Sequence, residues 1–366
     1  MDLTKIKKPV LLLDEKKARE NIKTMKSKAD KHKLIFRPHF KTHQSAVVAE
    51  WFRDAGTDRI TVSSATMCRY FLENGWDDIT VAFPVNPREA DEFNRIARRV
   101  NLNVLVSDYE QFVAFSAKFN EDANIFIKID TGYRRSGIDW NSYPDLVRIY
   151  DLVNETPNLR IMGFLTHAGH TYSVSGEENV LKIFNDTRSK ILHTKEVAPF
   201  NNAIVSIGDT PSCSITGEFN GIDEIRPGNF VFYDLMQVNI GSCNTSNVAA
   251  ALAAPVVSVN RHYNELIIYG GATHLSKEFI TGSEGEKIFG KAYLLSDEGW
   301  DVESEIGYVK SLSQEHGVVQ ISNHEVCRLK PGDIIAVMPV HICLSADLMK
   351  GYVTLDDKVI TDLCPK

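Results

Sequence analysis

Short apolar runs alternate with amphipathic helical stripes through the first two thirds of the chain, and this alternation restricts the possible folds most. The runs are Leu34–Arg37, Ile60–Ser63, Ile79–Phe83, Asn103–Ser107, Ile125–Asp130, Arg160–Thr166, Ile204–Ile207 and Phe230–Tyr233. Between them lie stripes at helical spacing: Val47, Val48, Trp51 and Phe52; Met67, Tyr70 and Phe71, ended by Gly75 where a helix takes its capping glycine; and Ala90, Phe93, Ile96 and Ala97. Eight strands alternating with helices predict an α/β fold, a (β/α)8 barrel.

Past about residue 245 the pattern changes. Leu266–Tyr269, Gly317–Ile321 and Asp333–Met338 are short and rich in Val and Ile, with turn residues between them at Gly282–Gly285 and Pro331–Gly332. They predict a smaller C-terminal β domain, with the barrel over residues 1–245 and the β domain over 246–366. The strand Val10–Leu13 precedes the first helix, so residues 1–14 can join either unit. At 366 residues, 43% of them hydrophobic, the chain can bury two cores.

A net charge of −7 and a pI near 5.9 give no reason to expect nucleic acid or an anionic membrane as partner. The Lys-rich stretch from Lys5 to Lys31 is interleaved with Asp14, Glu15, Glu20 and Asp30 and reads as a solvated helix face. Val248–Val257, the longest apolar stretch, contains Pro255 and falls well short of the roughly 20 residues a spanning helix needs. Met1–Lys8 is polar and charged, and Val10–Leu13 is too short for a signal peptide. Cys68, Cys213, Cys243, Cys327, Cys343 and Cys364 are scattered without a C-x-x-C pair. That usage suits a reducing, cytoplasmic setting.

Chemistry-bearing residues gather where barrel strands are expected to end, the face on which barrels carry function. Phe36-Arg37-Pro38-His39-Phe40-Lys41-Thr42-His43 follows the first strand. Cationic neighbours and partial burial would lower the pKa of Lys41, as an imine-forming amine requires; a solvent lysine in a basic turn is the other reading. Asp130-Thr131-Gly132-Tyr133-Arg134-Arg135-Ser136-Gly137 follows the fifth strand, with arginines that can bind an oxyanion. Thr166-His167-Ala168-Gly169-His170-Thr171-Tyr172 follows the sixth. Ser206-Ile207-Gly208-Asp209-Thr210-Pro211-Ser212 follows the seventh, a loop able to cradle phosphate with N–H groups and hydroxyls, and Arg226-Pro227-Gly228-Asn229 sits beside the eighth. Together they offer an amine, a phosphate cradle and cations on one rim. In the C-terminal domain, His341-Ile342-Cys343 in an extended segment would put an imidazole and a thiol on one face, a pair suited to Zn2+ with positions left for water or substrate.

With Pro9–Asp14 at the start and Ser313-Gln314-Glu315-His316-Gly317 near the end, these segments span nearly the whole chain. In them the chain resembles the D-serine dehydratase / D-threonine aldolase family, pyridoxal-phosphate (PLP) enzymes of fold type III with an alanine-racemase-like N-terminal domain. The resemblance implies that Lys41 is the Schiff-base lysine and that Arg135 lies near the cofactor's phenolate oxygen. It implies that His167 packs on the pyridine ring and that Ser206, Gly208, Thr210, Gly228 and Asn229 form the phosphate cradle. Arg226 or Tyr172 faces the pyridine nitrogen. His341 and Cys343 look like the ligands of a divalent metal, Zn2+ in the zinc-dependent dehydratases. Two departures, Met67 where many relatives have Glu and Val340 where many have Asn, mark a divergent subgroup and leave substrate choice open.

The expected function is a PLP- and metal-dependent lyase on D-3-hydroxyamino acids, removing the β-hydroxyl of D-serine or a relative to give a keto acid and ammonia. The alternative within the family is aldolase cleavage to glycine and an aldehyde, against which Cys343 argues. A non-catalytic PLP-binding protein is the alternative of another class, but such proteins consist of the barrel alone. The implied partners are a small D-amino acid and a second copy of the chain in a homodimer.

Overall fold

The computed structural model describes residues 1–322 and 328–365, so Cys327 lies outside the described residues. The chain forms two compact units: Lys23–Gly228 with Cys364 and Pro365, and Met1–Ile22 with Asn229–Leu363.

In the first unit, eight parallel strands among the described residues run in the order Ile60–Val62, Asp78–Pro84, Asn101–Val106, Ala123–Asp130, Leu159–Thr166, Ile204–Ile207, Glu224–Ile225 and Ile35–Phe36. An isolated parallel bridge between His39 and Thr61 joins the two ends of this series. There Thr61 N donates to Pro38 O and Phe40 N to Thr61 O, both at 2.9 Å, so the sheet closes on itself. The helices between strands start where the sequence supplies a cap. Ser45 Oγ accepts from Val48 N ahead of Ala46–Asp54, and Ser64 Oγ from Met67 N ahead of Ala65–Glu73. The second of these ends before Gly75, whose φ of +82° is the left-handed conformation a capping glycine takes. The apolar stripes face inward: Val48, Trp51, Phe52, Phe71 and Phe93 are buried.

The eighth strand is not where the apolar pattern put it. Residues 229–231 form a 3-10 turn and Tyr233 sits at φ +50°, so Phe230–Tyr233 is buried without being a strand. Glu224–Ile225 closes the ring instead. A buried glutamate in a two-residue strand carries no apolar signature, and it is tolerated there because its carboxylate is paired.

In the second unit, Ala250–Asn260, Glu265–Tyr269, His316–Ile321, Gly299–Leu312, Gly290–Ser296 and Ile334–Pro339 pair antiparallel in that order, and the last returns to the first. This β barrel is filled by a cluster that includes Leu252, Val256, Leu266, Ile268, Val309, Val319 and Val337. Val10–Leu13 pairs antiparallel with Ala250–Ala253 and parallel with the strand Tyr352–Thr354, which places residues 1–14 with this unit. Among the described residues no helix is long and apolar enough to cross a membrane.

Candidate active site

Parallel strands present their C-terminal ends on one face of a barrel, so the loops after them meet. Lys41 lies in the turn after Ile35–Phe36 and is exposed, not partly buried as its sequence neighbours suggested. Two of the expected cationic neighbours are committed elsewhere. His43 is buried against Phe40 and Phe52, with its Nδ1 accepting from Ser45 N at 3.1 Å, and burial holds it neutral with a pKa of about 3. Arg37 is buried and paired with Asp78 and with Glu224. His39 stays near Lys41: its Nδ1 accepts from the Lys41 backbone N at 3.3 Å. Burial, then repulsion from Lys41, pushes the pKa of both His39 and His167 well below the ordinary value, so two neutral imidazoles lie beside the amine.

The loop after Leu159–Thr166 builds an aromatic cluster. His167 is edge-on to Tyr133 at 6.0 Å and tilted against Tyr172 at 6.2 Å, while His170 stacks on Tyr133 at 6.1 Å. The Nδ1 of His167 is fixed on the carbonyl of Gly208. Arg135 is exposed and lies over Tyr133, 5.1 Å from the ring centre. Below it Lys128 is buried, and burial followed by repulsion from Arg135 and Arg226 lowers its pKa to about 8.

The loop after Ile204–Ile207 is built around Asp209, which caps the helix Thr210–Ile215 and accepts from Ser212 N at 2.8 Å and from Thr171 Oγ1 at 3.1 Å. The hydroxyl of Tyr172 accepts from Thr210 N at 3.3 Å. Thr210 Oγ1 and Ser212 Oγ are buried without a hydrogen-bond partner. Gly208 and Gly228 have no room for a side chain. A Cβ on Gly208 would lie 2.9 Å from Arg226 Cβ, and one on Gly228 would lie 2.9 Å from the His39 carbonyl.

Arg226 is buried, its Nε donating to Ser206 Oγ at 2.6 Å and its Nη2 to Thr166 O at 2.8 Å. Ser206 in turn donates to Glu224 Oε1 at 2.5 Å, so its hydroxyl belongs to this charge network. Burial lowers the Arg226 pKa to about 10 against the pull of Glu224. A chain of Asp78, Arg37, Glu224, Ser206 and Arg226 thus supports the rim. Orphaned hydroxyls, side-chain-free backbone, an accessible amine, an imidazole and an excess of cations fit the anionic, aromatic cofactor PLP.

In the other unit, His341 and Cys343 do not lie in an extended segment. The strand Ile334–Pro339 stops at Pro339. His341 is then the residue before the helix Ile342–Met349, and Cys343 lies in its first turn. Asp234 Oδ2 accepts from Ile342 N at 3.0 Å and starts that helix. The two side chains still meet through a hydrogen bond, while His341 Nδ1 lies 2.7 Å from Glu278 Oε2. Burial opposes charge on His341, but Cys343, Glu278 and Asp234 outweigh it and raise its pKa to about 11. Asn229 Nδ2 donates to Asp234 Oδ2 at 2.6 Å and to Cys343 Sγ at 3.7 Å, leaving its Oδ1 buried without a partner. Among the described residues no three His, Cys, Asp or Glu groups cluster as a full metal cage. An imidazole and a thiol held together, with the second ring nitrogen on a carboxylate, fit a divalent ion that keeps open positions.

Sequence reading missed Glu224, Asp209 and Glu278 as site components. Asp209 lies inside a quoted motif, but nothing in its spacing signals a buried cap. Glu278 is a single charged residue between Lys277 and Phe279, with no local pattern at all.

Residues 13–235 match the alanine racemase N-terminal domain. The chain belongs to that family. Residues 249–355 of this alanine-racemase-like protein match a serine dehydratase domain. The D-threo-3-hydroxyaspartate dehydratase of Delftia sp. (strain HT23) is 27% identical over 95% of this chain and 93% of the relative. Its solved structure superposes with a TM-score of 0.89 at 25% identity, covering 99% of this chain and 98% of that one. A variant of that dehydratase with one cysteine replaced by alanine has been solved in a metal-free form, again with a TM-score of 0.89 and 25% identity, over 100% and 99% of the two chains. The D-serine dehydratase of Dictyostelium discoideum is 26% identical over 100% and 98% of the two chains.

Proposed function

We propose that this alanine-racemase-like protein is a PLP- and metal-dependent lyase that removes the β-hydroxyl from a D-3-hydroxyamino acid, giving a keto acid and ammonia. The hydrogen-bonded His341–Cys343 pair within the serine dehydratase domain carries this reading. A racemase needs no such pair, and a non-catalytic PLP carrier needs neither it nor its domain.

Bound PLP supplies an electron sink for the charge left at the substrate Cα. Lys41 Nζ would hold the cofactor, and its free amine would take the Cα proton. His39 and His167, neutral beside it, leave that amine free of competing positive charge. Thr210, Ser212 and the backbone at Gly208 and Gly228 receive the phosphate, with Arg226 behind them. His167, fixed by the Gly208 carbonyl, would hold the ring, and Arg135 would meet the phenolate oxygen. His341 and Cys343, an N and an S donor suited to Zn2+, would hold the metal, and its Lewis acidity would help the hydroxide leave. The family resemblance further supports a homodimer, and the scattered thiols a cytoplasmic setting.

The test is to incubate the purified, PLP- and zinc-loaded protein with D-serine, D-threonine and D-threo-3-hydroxyaspartate. Ammonia with a keto acid is the expected product pair. Glycine with an aldehyde would replace the reading by an aldolase. Bound PLP with no turnover of any of the three would revive a carrier.

A further inference from the structure

We infer that Glu278 is a positioning residue for the metal ligand His341, holding its ring so that Nε2 is the ligand atom. This rests on the reading of His341 and Cys343 as metal ligands. The Oε2 of Glu278 lies 2.7 Å from His341 Nδ1. A carboxylate can only accept, so Nδ1 keeps its proton on Glu278, and Nε2 is the ring nitrogen that gives up its proton to take the metal. A histidine ligand fixed in this way loses less rotational freedom on binding metal and is a stronger base toward it.

The segment that carries Glu278 is built to hold it still. The short helix Ala272–Leu275 packs on the helix Ile342–Met349 that begins just after His341. It ends at Ser276, whose φ of +67° turns the chain and whose Oγ accepts from Glu278 N at 3.3 Å. On the far side Phe279 packs against Phe289 at 5.8 Å. The start of the helix is pinned as well. Gly271 fits so closely against Gln314 that a Cβ would lie 2.3 Å from its carbonyl oxygen, and Ala272 N donates to Ser313 O at 2.8 Å. The Ser313–Gly317 motif, which has no chemistry of its own in the proposed reaction, thereby acquires a purpose: it anchors the turn that delivers Glu278.

The experiment uses PLP-loaded protein stripped of metal by a chelator, with Zn2+ alone as the probe in competition with a chromophoric chelator. Wild type, Cys343→Ala, Glu278→Gln and Glu278→Ala are compared, with PLP absorbance and far-UV circular dichroism recorded for each. Wild type should bind one Zn2+ and Cys343→Ala should lose it. Glu278→Ala should weaken Zn2+ binding about 10–100-fold at unchanged PLP content, and Glu278→Gln less, because its amide oxygen still accepts from Nδ1. If Glu278→Ala does not fold, the Gln variant decides, with a loss of at least about threefold expected. Zn2+ affinity within twofold of wild type in the folded Glu278 variants, with Cys343→Ala still defective, would overturn the role of Glu278. Zn2+ binding that is absent from wild type, or undiminished in Cys343→Ala, would instead overturn the metal reading beneath it.

Discussion

The Nε of Arg37 lies 2.7 Å from Glu224 Oε2, and both side chains are shut away from solvent. Burial works against the charge on Arg37, but Glu224 and Asp78 hold it and keep the guanidinium protonated. Glu224 also accepts from the Ser206 hydroxyl, whose oxygen accepts from Arg226 Nε. Removing the carboxylate therefore leaves two buried guanidinium groups short of an anion. Glu224→Ala should lower the unfolding free energy by about 3–5 kcal/mol, and Glu224→Gln by less, because its amide oxygen still accepts. Urea unfolding measures both. A Glu224→Ala loss under about 1 kcal/mol would show that the network does not support the barrel.

Lys41 is exposed at the end of the first barrel strand, with two neutral imidazoles beside it. If its amine both anchors PLP and moves the Cα proton, no neighbour can replace it. His39 and His167 are weak bases, with pKa values well below the ordinary one, and Lys128 is buried. Lys41→Ala should abolish the visible absorbance of lysine-bound PLP and lower kcat by about 1,000-fold or more. Turnover within tenfold of wild type would remove Lys41 from the proposed role.

Most of the barrel could be read from the sequence because its strands are apolar and its helices carry one-sided stripes. Ile204–Ile207 and Val10–Leu13 fall where the pattern predicted them, and the first seven barrel strands lie within a few residues of their runs. The pattern failed at Glu224–Ile225, where a charge in the strand is offset by partners at residues 37 and 206 that are distant in sequence. It failed also at His341–Cys343, because the cap that starts a helix there comes from Asp234, more than a hundred residues away. Motif residues such as Lys41, His167 and Thr210 stood out by type. Asp209 and Glu278 did not, since burial and hydrogen bonding give them their character, and neither is visible in one chain of letters.

Cys343 lies in the first turn of the helix Ile342–Met349, within hydrogen-bonding reach of His341 and Asn229. Replacing it removes the thiolate donor while leaving the cap from Asp234 to Ile342 N in place. Cys343→Ala should therefore fold, keep the PLP colour, lose the metal and lose about 100-fold or more in kcat toward D-3-hydroxyamino acids. Metal content by atomic emission and turnover are the two readings. A metal-free variant that remains fully active would sink the role of the metal in releasing hydroxide.

Asp209 is buried in the loop that bears the proposed phosphate cradle, and burial lifts its carboxyl to about 6 from an ordinary 3.8. The hydrogen bonds from Ser212 and Thr171 and the charge of Arg226 offset only part of that rise. The folded chain then keeps this proton until about pH 6, while the unfolded chain releases it near pH 4. Between those values the folded state binds more protons, so this group's contribution to stability falls as pH rises and is level above about pH 6. A shift of about two units at about 1.4 kcal/mol each sets the loss at no more than about 3 kcal/mol. Asp209→Asn keeps an oxygen that can accept from Ser212 N and Thr171 Oγ1 and removes the titration. The unfolding free energy of the variant, relative to wild type, should rise by up to about 3 kcal/mol between about pH 4 and pH 7. Urea titrations of both proteins across that range measure it. A difference that stays constant with pH would mean that Asp209 is ionised throughout and that its hydrogen bonds, rather than its burial, govern its charge.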